Sequence, residues 1–191
     1  MPKKIVIGLI GEKGAGKGTV AKYLIENHGA EHFGTSSILR RTVEDLHLPV
    51  TRDNLIKVAL ILREGFWSSV VIDAMIADME ASQADIVIAD GIRMHGDTEP
   101  FKKKYGKNFF LIYVTAPINL RYERTKQRKE KLGEDTMSFE QFLAEEGRLT
   151  EISIHEIGGQ ADFVIDNSGG PDNLVRQIKT AMEKIINKSE M

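Results

Sequence analysis

Short runs of apolar, mostly β-branched residues recur along the chain and indicate strands of a buried sheet. The first run, Lys3–Ile10, hardly alternates between apolar and polar positions, which is typical of a strand that is covered on both faces. Similar composition predicts further strands at Ile86–Ala89, Phe109–Thr115 and Phe163–Ile165. A short extended piece is predicted around His32–Phe33.

Stretches with helical periodicity separate these runs. Between Lys17 and Asn27 the apolar residues recur at helical spacing, and Gly29 is placed to end the helix. Ser138 and Gln141 have the spacing of a capping box, in which each side chain binds the backbone of the other residue, and they predict a helix start. We predict further helices at Thr35–Leu48, as a pair within Arg52–Ala81 broken near Gly65, from Pro117, and from Pro171.

The alternation of strands with helices predicts an α/β fold. Right-handed crossovers between parallel strands place helices on both faces of a sheet, so we predict three α/β/α layers around a parallel five-stranded sheet. We interpret residues 1–191 as a single domain, because no internal repeat or Ser/Pro-rich linker interrupts them. Ligands of such folds bind at the carboxyl ends of the strands, here the loops after Ile10, Ala89 and Thr115.

The composition is that of an ordinary soluble globular protein. Of the 191 residues, 41% are hydrophobic and 28% are charged, and the formal net charge of −2 gives no basic field for nucleic acid. The chain has no cysteine, which excludes disulfides and thiolate metal sites and is typical of a reducing compartment. The apolar run Ile5–Ile10 is too short for a signal peptide or a membrane span, so we expect a cytoplasmic protein.

The strongest chemical signal is a glycine-rich phosphate loop (a Walker A-like motif) between the first strand and the first helix. Glycines allow the backbone to curl so that consecutive N–H groups face a chain of phosphates, and the helix N-terminus adds its positive dipole end. Lys17 then places a positive charge near the β- and γ-phosphates. We predict that the loop binds ATP through Gly11, Glu12, Lys13, Gly14, Ala15, Gly16, Lys17, Gly18 and Thr19.

A carboxylate at a strand end is the second element of this predicted site. Ile86–Ala89 is followed directly by Asp90, and a strand-end aspartate in phosphate-loop proteins holds Mg²⁺ directly or through water. Any parallel strand can end in an aspartate that only caps the next loop, so this interpretation depends on the phosphate loop. Together the two elements predict a site for ATP and Mg²⁺.

Residue 18 departs from the general phosphate-loop pattern, because glycine stands where serine or threonine usually ligates Mg²⁺. The ending Gly16-Lys17-Gly18-Thr19 closely resembles that of adenylate kinases and related nucleoside monophosphate kinases. This resemblance implies a phosphate-loop kinase fold with a mobile lid, ATP and Mg²⁺ as cofactors, and Thr19 as the hydroxyl near the phosphates and the metal. It covers most of the chain, from Lys3 to about Lys184.

Two segments resemble the parts of this family that hold the acceptor nucleotide. Thr35–Arg40 resembles a Ser/Thr-Gly-Asp-x-Leu-Arg segment, with serines at the glycine and aspartate positions. Asp90–Arg93 resembles an Asp-Gly-x-Pro-Arg stretch, but it lacks the proline and is one residue shorter. The resemblance implies that Thr35, Arg40 and Arg93 bind the acceptor within a helical region of about 35–82, and that Arg93 also acts in catalysis.

A helix with repeated arginines follows the fourth predicted strand. Arg124 and Arg128 are four residues apart and share one helix face. The family keeps its lid arginines at this place, so the resemblance implies catalytic roles for both and a lid at about 129–150. Whether Arg121 or Arg148 also contacts phosphate stays open.

The turn at Asp166–Gly170 follows the last predicted strand. In related kinases such a loop lies against the adenine of ATP, which implies that Asn167 binds the nucleotide, although a plain turn explains the composition equally well. Phe66 and Trp67 are adjacent in the sequence, and we expect them to pack between helices. The spacing of the histidines does not indicate a metal site.

These features predict a transferase, an ATP-dependent nucleoside or deoxynucleoside monophosphate kinase that uses Mg²⁺. Similar uncharacterised proteins are related to both adenylate kinase and dephospho-CoA kinase, and they share the Asp90–Arg93 run and the Phe139–Phe142 lid segment. Two alternatives stay open: a dephospho-CoA kinase, which needs a base for a sugar hydroxyl, and a non-catalytic nucleotide-binding regulatory module. We expect small-molecule nucleotides as partners, no nucleic acid or membrane, and a monomer or homodimer.

Overall fold

A computed structural model of the chain describes residues 4–128, 137–147 and 149–190. Its strands form one parallel sheet. They are β1 (Ile5–Ile10), β2 (Glu31–Gly34), β3 (Ile86–Asp90), β4 (Phe109–Thr115) and β5 (Phe163–Asp166). Across the sheet the order is β2-β3-β1-β4-β5. The central position of β1 explains why its sequence hardly alternates, since helices cover both of its faces.

Helices connect the strands and cover both faces of the sheet. The first helix ends at Gly29, which has a φ of 62° and donates its N–H to the carbonyl oxygens of Leu24 and Ile25. The predicted capping box of Ser138 and Gln141 is confirmed at a later helix start. The helices are α1 (Lys17–His28), α2 (Thr35–Asp45), α3 (Arg52–Gly65), α4 (Val70–Ala81), α5 (Glu99–Tyr105), α6 (Ile118–Arg128), α7 (Phe139–Glu146), α8 (Leu149–Gly158) and α9 (Pro171–Glu190).

The core lies in two layers, one on each face of the sheet. Val6 and Ile10 of β1 face a layer that includes residues of α4, α5 and α8, whereas Ile7 and Leu9 face a layer that includes residues of α1 and α9. Full burial of an aliphatic side chain of this size is worth about 1.5–3 kcal/mol. Both layers therefore anchor β1, from which the phosphate loop extends.

The carboxyl ends of the strands meet at one edge of the sheet. Leu9 of β1 is paired with Asp90 of β3, which in turn is paired with Gly34 of β2. At the far side, Thr115 of β4 is paired with Asp166 of β5. This register brings the loops that follow the strands to the edge where ligands of parallel sheets bind.

Helices α2, α3 and α4 pack against one another beyond β2. Helix α4 buries five residues, among them Ile72 and Met75, whereas α3 buries none. Ile56, Leu60 and Ile61 of α3 are exposed instead. Helix α3 therefore lies on the outside of the molecule and contributes little to its core.

The predicted three-layer fold around a five-stranded parallel sheet is confirmed. Helix α2 ends at Asp45, earlier than the predicted Leu48, because His47 has a φ of 53°, a conformation through which a helix cannot continue. Helix α5 was missed, because a short lysine-rich sequence shows little apolar periodicity. The helix predicted from Ser138 divides into α7 and α8 near Gly147.

Candidate active site

The phosphate loop joins β1 to α1 and depends on glycine at several positions. Gly14 and Gly16 have φ angles of 79° and 106°, in the left-handed region that glycine adopts without strain. A Cβ on Gly11 would lie 2.2 Å from the carbonyl oxygen of Val114, and a Cβ on Gly16 would lie 2.2 Å from Nδ2 of Asn167. Backbone conformation and close neighbours therefore fix the curled loop.

Lys17 begins α1 with its ammonium group turned back towards the loop. Its Nζ donates a hydrogen bond of 2.6 Å to the carbonyl oxygen of Gly11. The neighbouring Gly18 and Thr19 are exposed, and a Cβ on Gly18 would meet nothing within 4 Å, so packing does not require glycine there. A phosphate would offer the ammonium group a stronger, charge-assisted partner than a carbonyl oxygen, which suits the predicted role of Lys17.

Asp90 ends β3 beside His32 of β2, and its Oδ2 is 3.4 Å from Nε2 of that histidine. Burial alone would raise the pKa of Asp90, but the contact with His32 and the positive charge of Lys17 outweigh burial and hold the pKa below its usual value. Asp90 is therefore an ionised carboxylate within the electrostatic influence of Lys17. The sequence did not indicate the contact with His32, which depends on the pairing of β2 with β3.

Thr19 and Asp90 carry the hydroxyl and carboxylate oxygens that Mg²⁺ accepts as ligands. Within residues 4–128, 137–147 and 149–190, no three His, Cys, Asp or Glu side chains gather into a metal cluster. Mg²⁺ usually keeps several water molecules and is held by one or two carboxylates together with substrate phosphates. The two residues therefore fit an ion that arrives together with a nucleotide.

Glu12 differs from the rest of the loop, because its side chain is only 6% exposed and is directed towards β4. Its Oε1 accepts a hydrogen bond from the hydroxyl of Tyr113, and burial together with this carboxylate raises the pKa of Tyr113 to about 12. Nδ1 of His155 lies 2.8 Å from the same hydroxyl. Oε2 of Glu12 is buried without a hydrogen-bond partner among the described residues. The carboxylate of Glu12 therefore binds within the protein.

Asn167 connects the loop after β5 to the phosphate loop. It is buried, and its Nδ2 donates a hydrogen bond of 2.8 Å to the carbonyl oxygen of Ala15. Arg124 of α6 donates from Nη2 to the carbonyl oxygen of Asn167 over 2.9 Å, while its Nη1 is buried and has no hydrogen-bond partner in the described part of the chain. Arg124 therefore lies beside the loop that the sequence predicts to contact adenine.

Arg121, whose role the sequence left open, is almost fully buried and binds the protein itself. Its Nη1 donates to the carbonyl oxygen of Lys13 over 3.2 Å, and its Nη2 forms a 2.7 Å ion pair with Glu146. The guanidinium group is thus used to hold the phosphate loop and α7. The side chain of Arg128 and the whole of Arg148 lie outside the described part of the chain, so the roles predicted for these two residues stay predictions.

The predicted acceptor-binding residues lie near the carboxyl ends of β2 and β3. Thr35 begins α2 and packs closely against Gly91, where a Cβ would lie 2.1 Å from its Oγ1. The structure therefore brings the Thr35 segment and the Asp90–Arg93 segment together, as the resemblance implies. Arg40 and Arg93 are both exposed.

Asp97, which was not predicted from the sequence, organises the loop that carries Arg93. Its Oδ2 accepts hydrogen bonds of 3.0 Å from the backbone N–H groups of Arg93 and Met94, and its Oδ1 forms a 2.8 Å ion pair with Arg63 of α3. The four-residue spacing from Arg93 to Asp97 is a weak sign of such a side chain–backbone turn. The partner Arg63 is distant in sequence and leaves no local signal.

The sequence pattern of the AAA domain family matches residues 10–142, well over half of the chain. The chain belongs to the AAA domain family. The matched segment contains the phosphate loop, Asp90 and helix α6, whereas Asn167 lies beyond it.

Two related proteins are similar to this chain over nearly its whole length. A UPF0200/UPF0201 protein of Archaeoglobus fulgidus is 29% identical over 188 residues, which are 97% of this chain and 57% of the relative. A UPF0200 protein of Saccharolobus solfataricus is 25% identical over 181 residues, which are 95% of this chain and 94% of that protein. The chain thus spans little more than half of the first relative and nearly all of the second.

Solved structures similar to this AAA domain include kinases. A Thermus thermophilus crystal structure has a TM-score of 0.62 at 22% identity and covers 95% of this chain and 97% of that chain. Shikimate kinase from Bacteroides thetaiotaomicron has a TM-score of 0.60 at 15% identity, with 98% and 99% covered. A gluconokinase from Sinorhizobium meliloti has a TM-score of 0.59 at 14% identity, with 100% and 96% covered. At these identities the likeness shows the fold alone, and it confirms the phosphate-loop kinase fold.

The prediction that Phe66 and Trp67 of this AAA domain pack between helices is wrong. The two side chains are 66% and 54% exposed just after α3. Their rings contact each other edge to face at 6.2 Å, and Nε1 of Trp67 donates to Asp73 over 2.7 Å. Aromatic content favoured burial, but the short connection from α3 to α4 leaves both rings uncovered.

Proposed function

We propose that this protein is an ATP-dependent phosphotransferase that transfers the γ-phosphoryl group of ATP to a nucleoside or deoxynucleoside monophosphate. The observation that carries the proposal is the phosphate loop, in which left-handed glycines curl the backbone and Lys17 lies at the start of α1. Such a loop holds the phosphates of a nucleotide and stabilises the charge that develops during phosphoryl transfer.

On the donor side, the loop backbone and Lys17 would hold the β- and γ-phosphates. Thr19 and Asp90 would hold Mg²⁺, which when bound neutralises part of the phosphate charge. The loop at Asn167 would face the adenine, with Arg124 bound to its backbone. Arg128, four residues further along α6 and directly before the proposed lid at about 129–150, would act on the phosphates.

On the acceptor side, Arg40 and Arg93 would hold the phosphate of the acceptor, next to Thr35. An exposed guanidinium group binds phosphate through two parallel hydrogen bonds. The backbone at Arg93 is fixed by Asp97, so that its side chain starts from a defined position. Two cationic side chains near the carboxyl ends of β2 and β3 support an acceptor that already carries a phosphate.

One observation favours a second candidate, a dephospho-CoA kinase. Asp90 is held ionised beside His32, and an ionised carboxylate near the phosphate loop is suited to take the proton of an attacking sugar hydroxyl. A monophosphate acceptor needs no such base, because its phosphate oxygen is already anionic at neutral pH. The two candidates therefore differ in the role that they give to Asp90.

An acceptor screen with MgATP tests the proposal, with ADP release measured above the rate without acceptor. We expect one or more nucleoside or deoxynucleoside monophosphates to stimulate ADP release, and Lys17→Ala to abolish the stimulation. Stimulation by dephospho-CoA alone would favour the second candidate. Slow hydrolysis that no acceptor stimulates would contradict transfer and indicate a non-catalytic nucleotide-binding regulatory module.

The proposed activity also carries expectations about the setting of the protein. Among the described residues, no helix combines the length and apolarity needed to cross a membrane. We propose a cytoplasmic enzyme that acts as a monomer or homodimer on small-molecule nucleotides. The formal net charge of −2 supports partners other than nucleic acid.

A further inference from the structure

Two adjacent carboxylates at the C-terminal end of α7 bind three basic side chains from distant parts of the chain. Oε2 of Glu145 forms a 3.1 Å ion pair with Nζ of Lys13, and its Oε1 lies 3.6 Å from Nη1 of Arg52. Oε2 of Glu146 pairs with Nη2 of Arg121 at 2.7 Å. Each oxygen of Glu145 thus pairs with a different cation.

Aromatic packing also holds α7 against α6 and the phosphate loop. Phe142 is completely buried, with the ammonium group of Lys13 and the guanidinium group of Arg121 about equally far from its ring, at 6.0 Å and 5.9 Å. The ring of Tyr122 contacts Phe142 edge to face at 5.6 Å, and the hydroxyl of Tyr122 donates to the carbonyl oxygen of Met137 over 3.0 Å. Helix α7, which lies within the proposed lid, is therefore packed against α6 and the phosphate loop.

The two cations paired with Glu145 belong to the two regions that a transfer reaction must bring together. Lys13 is part of the phosphate loop, whereas Arg52 is the first residue of α3, in the region proposed to bind the acceptor. The side chains of Lys13 and Glu145 are only 16% and 19% exposed, so solvent screens this pair less than an ordinary surface pair. Arg52 is about half exposed, and its pair is the weaker of the two.

We propose that Glu145 is a positioning residue that fastens the phosphate loop, through Lys13, to the start of α3, through Arg52. Glu146 supports it by holding Arg121, which binds the backbone of Lys13. Glu145 then fixes the separation of the ATP-binding loop from the acceptor region without contacting either substrate. This functional consequence rests on the proposed function, whereas the link itself does not.

Hydrogen exchange of the ligand-free full chain tests the link directly. Glu145→Gln keeps the shape of the side chain but removes its charge, and we expect amides of α7 and of the first turn of α3 to exchange about fivefold faster or more. Glu64→Gln, which removes an exposed carboxylate near the far end of α3, is the control and should leave α7 and the first turn of α3 unchanged. Unchanged exchange in α7 and α3 of Glu145→Gln would overturn the proposal, whether or not the protein is a kinase.

A second variant keeps the test decisive if Glu145→Gln fails to fold. Arg52→Gln removes only the arm towards α3, so exchange should increase in the first turn of α3 and much less in α7. Equal protection of α3 in Arg52→Gln and wild type would contradict the link. Once an acceptor is known, Glu145→Gln should lower kcat with little change in the KM for ATP, whereas loss of a substrate contact would raise KM. Glu145→Asp, which keeps the charge, should recover part of kcat.

Discussion

The phosphate loop and helix α3 differ in how far the rest of the protein buries and binds them. Asn167 and Arg121 are buried and donate hydrogen bonds to the carbonyl oxygens of loop residues. In contrast, α3 buries no residue, and Arg40 and Arg93 nearby are exposed. The proposed donor side is thus held by buried contacts of the protein, whereas the proposed acceptor side presents exposed cationic and apolar side chains.

The largest expected effect is on the donor side. Lys17→Ala removes an ammonium group whose hydrogen bond goes to a loop carbonyl and not into the core. We expect a folded protein in which transfer falls about a hundredfold or more, as when one charge-stabilising donor is lost. Steady-state ADP release measures this effect, with folding checked by circular dichroism.

Lys22→Ala is the matched control for this variant. Lys22 lies on the exposed face of the same helix and pairs only loosely with Glu26, at 3.7 Å. It should keep wild-type turnover. Equal turnover in folded Lys17→Ala and Lys22→Ala would contradict the proposed role of Lys17 in stabilising the charge that develops during phosphoryl transfer.

The next effect should appear only on the acceptor side. If Arg40 and Arg93 hold a phosphate, each lost charge-assisted contact is worth about 1.5–3 kcal/mol, or roughly tenfold to a hundredfold in kcat/KM for a monophosphate. Arg40→Ala and Arg93→Ala should therefore weaken the acceptor and leave ATP binding, measured by calorimetry, nearly unchanged.

Arg41→Ala controls for general loss of charge on α2. Arg41 is exposed and pairs with Asp78 at 2.7 Å on the surface of the protein. A loss as large as that of Arg40→Ala would indicate a general electrostatic effect of α2 and would contradict a specific acceptor contact.

Arg124→Ala should have a smaller effect and should again act on the donor side. The family resemblance implies a catalytic role for Arg124, but its bond to the carbonyl oxygen of Asn167 places it at the proposed adenine loop. We therefore expect the KM for ATP to rise about tenfold, with a smaller change in kcat. The exposed Glu123 on the same helix supplies the control Glu123→Ala. A lower kcat with an unchanged KM for ATP would instead indicate that Arg124 stabilises the transition state.

The smallest expected effect is the pH dependence of stability through Asp90. Its pKa is lowered in the folded protein, so its contribution to the free energy of unfolding is present above the ordinary aspartate pKa of about 3.9 and is lost as the pH falls through the lowered value. The stability difference between wild type and Asp90→Asn should therefore shrink from pH 6 to pH 3 in urea denaturation. A difference that grows on acidification would contradict the sign of this shift.

The sheet and the phosphate loop could be predicted from the sequence because both depend on local patterns. Runs such as Ile5–Ile10 reveal buried strands, and glycines at positions such as 14 and 16 are needed for conformations that other residues rarely adopt. Helix α5 escaped prediction because its sequence is short and lysine-rich.

Much of the support for the site could not be predicted, because it joins residues that are far apart in sequence. In the folded chain, Arg63 forms an ion pair with Asp97, and Lys13 forms one with Glu145. Glu12 accepts a hydrogen bond from the hydroxyl of Tyr113. The sequence around each of these residues does not distinguish it from an ordinary surface charge or strand residue. The arginine helix was predicted as basic, but only the fold shows that Arg121 faces inwards.

Phosphorus NMR of the product tests the central claim most directly. The full chain, MgATP and the acceptor that stimulates ADP release are incubated together, with Lys17→Ala in parallel. Phosphoryl transfer to a monophosphate predicts diphosphate resonances of the product nucleotide in the wild-type sample only, and for an AMP acceptor these appear as a second ADP for each ATP consumed. A new phosphomonoester resonance from dephospho-CoA would instead show transfer to a hydroxyl. Inorganic phosphate as the only new product beside ADP would contradict phosphoryl transfer to an acceptor.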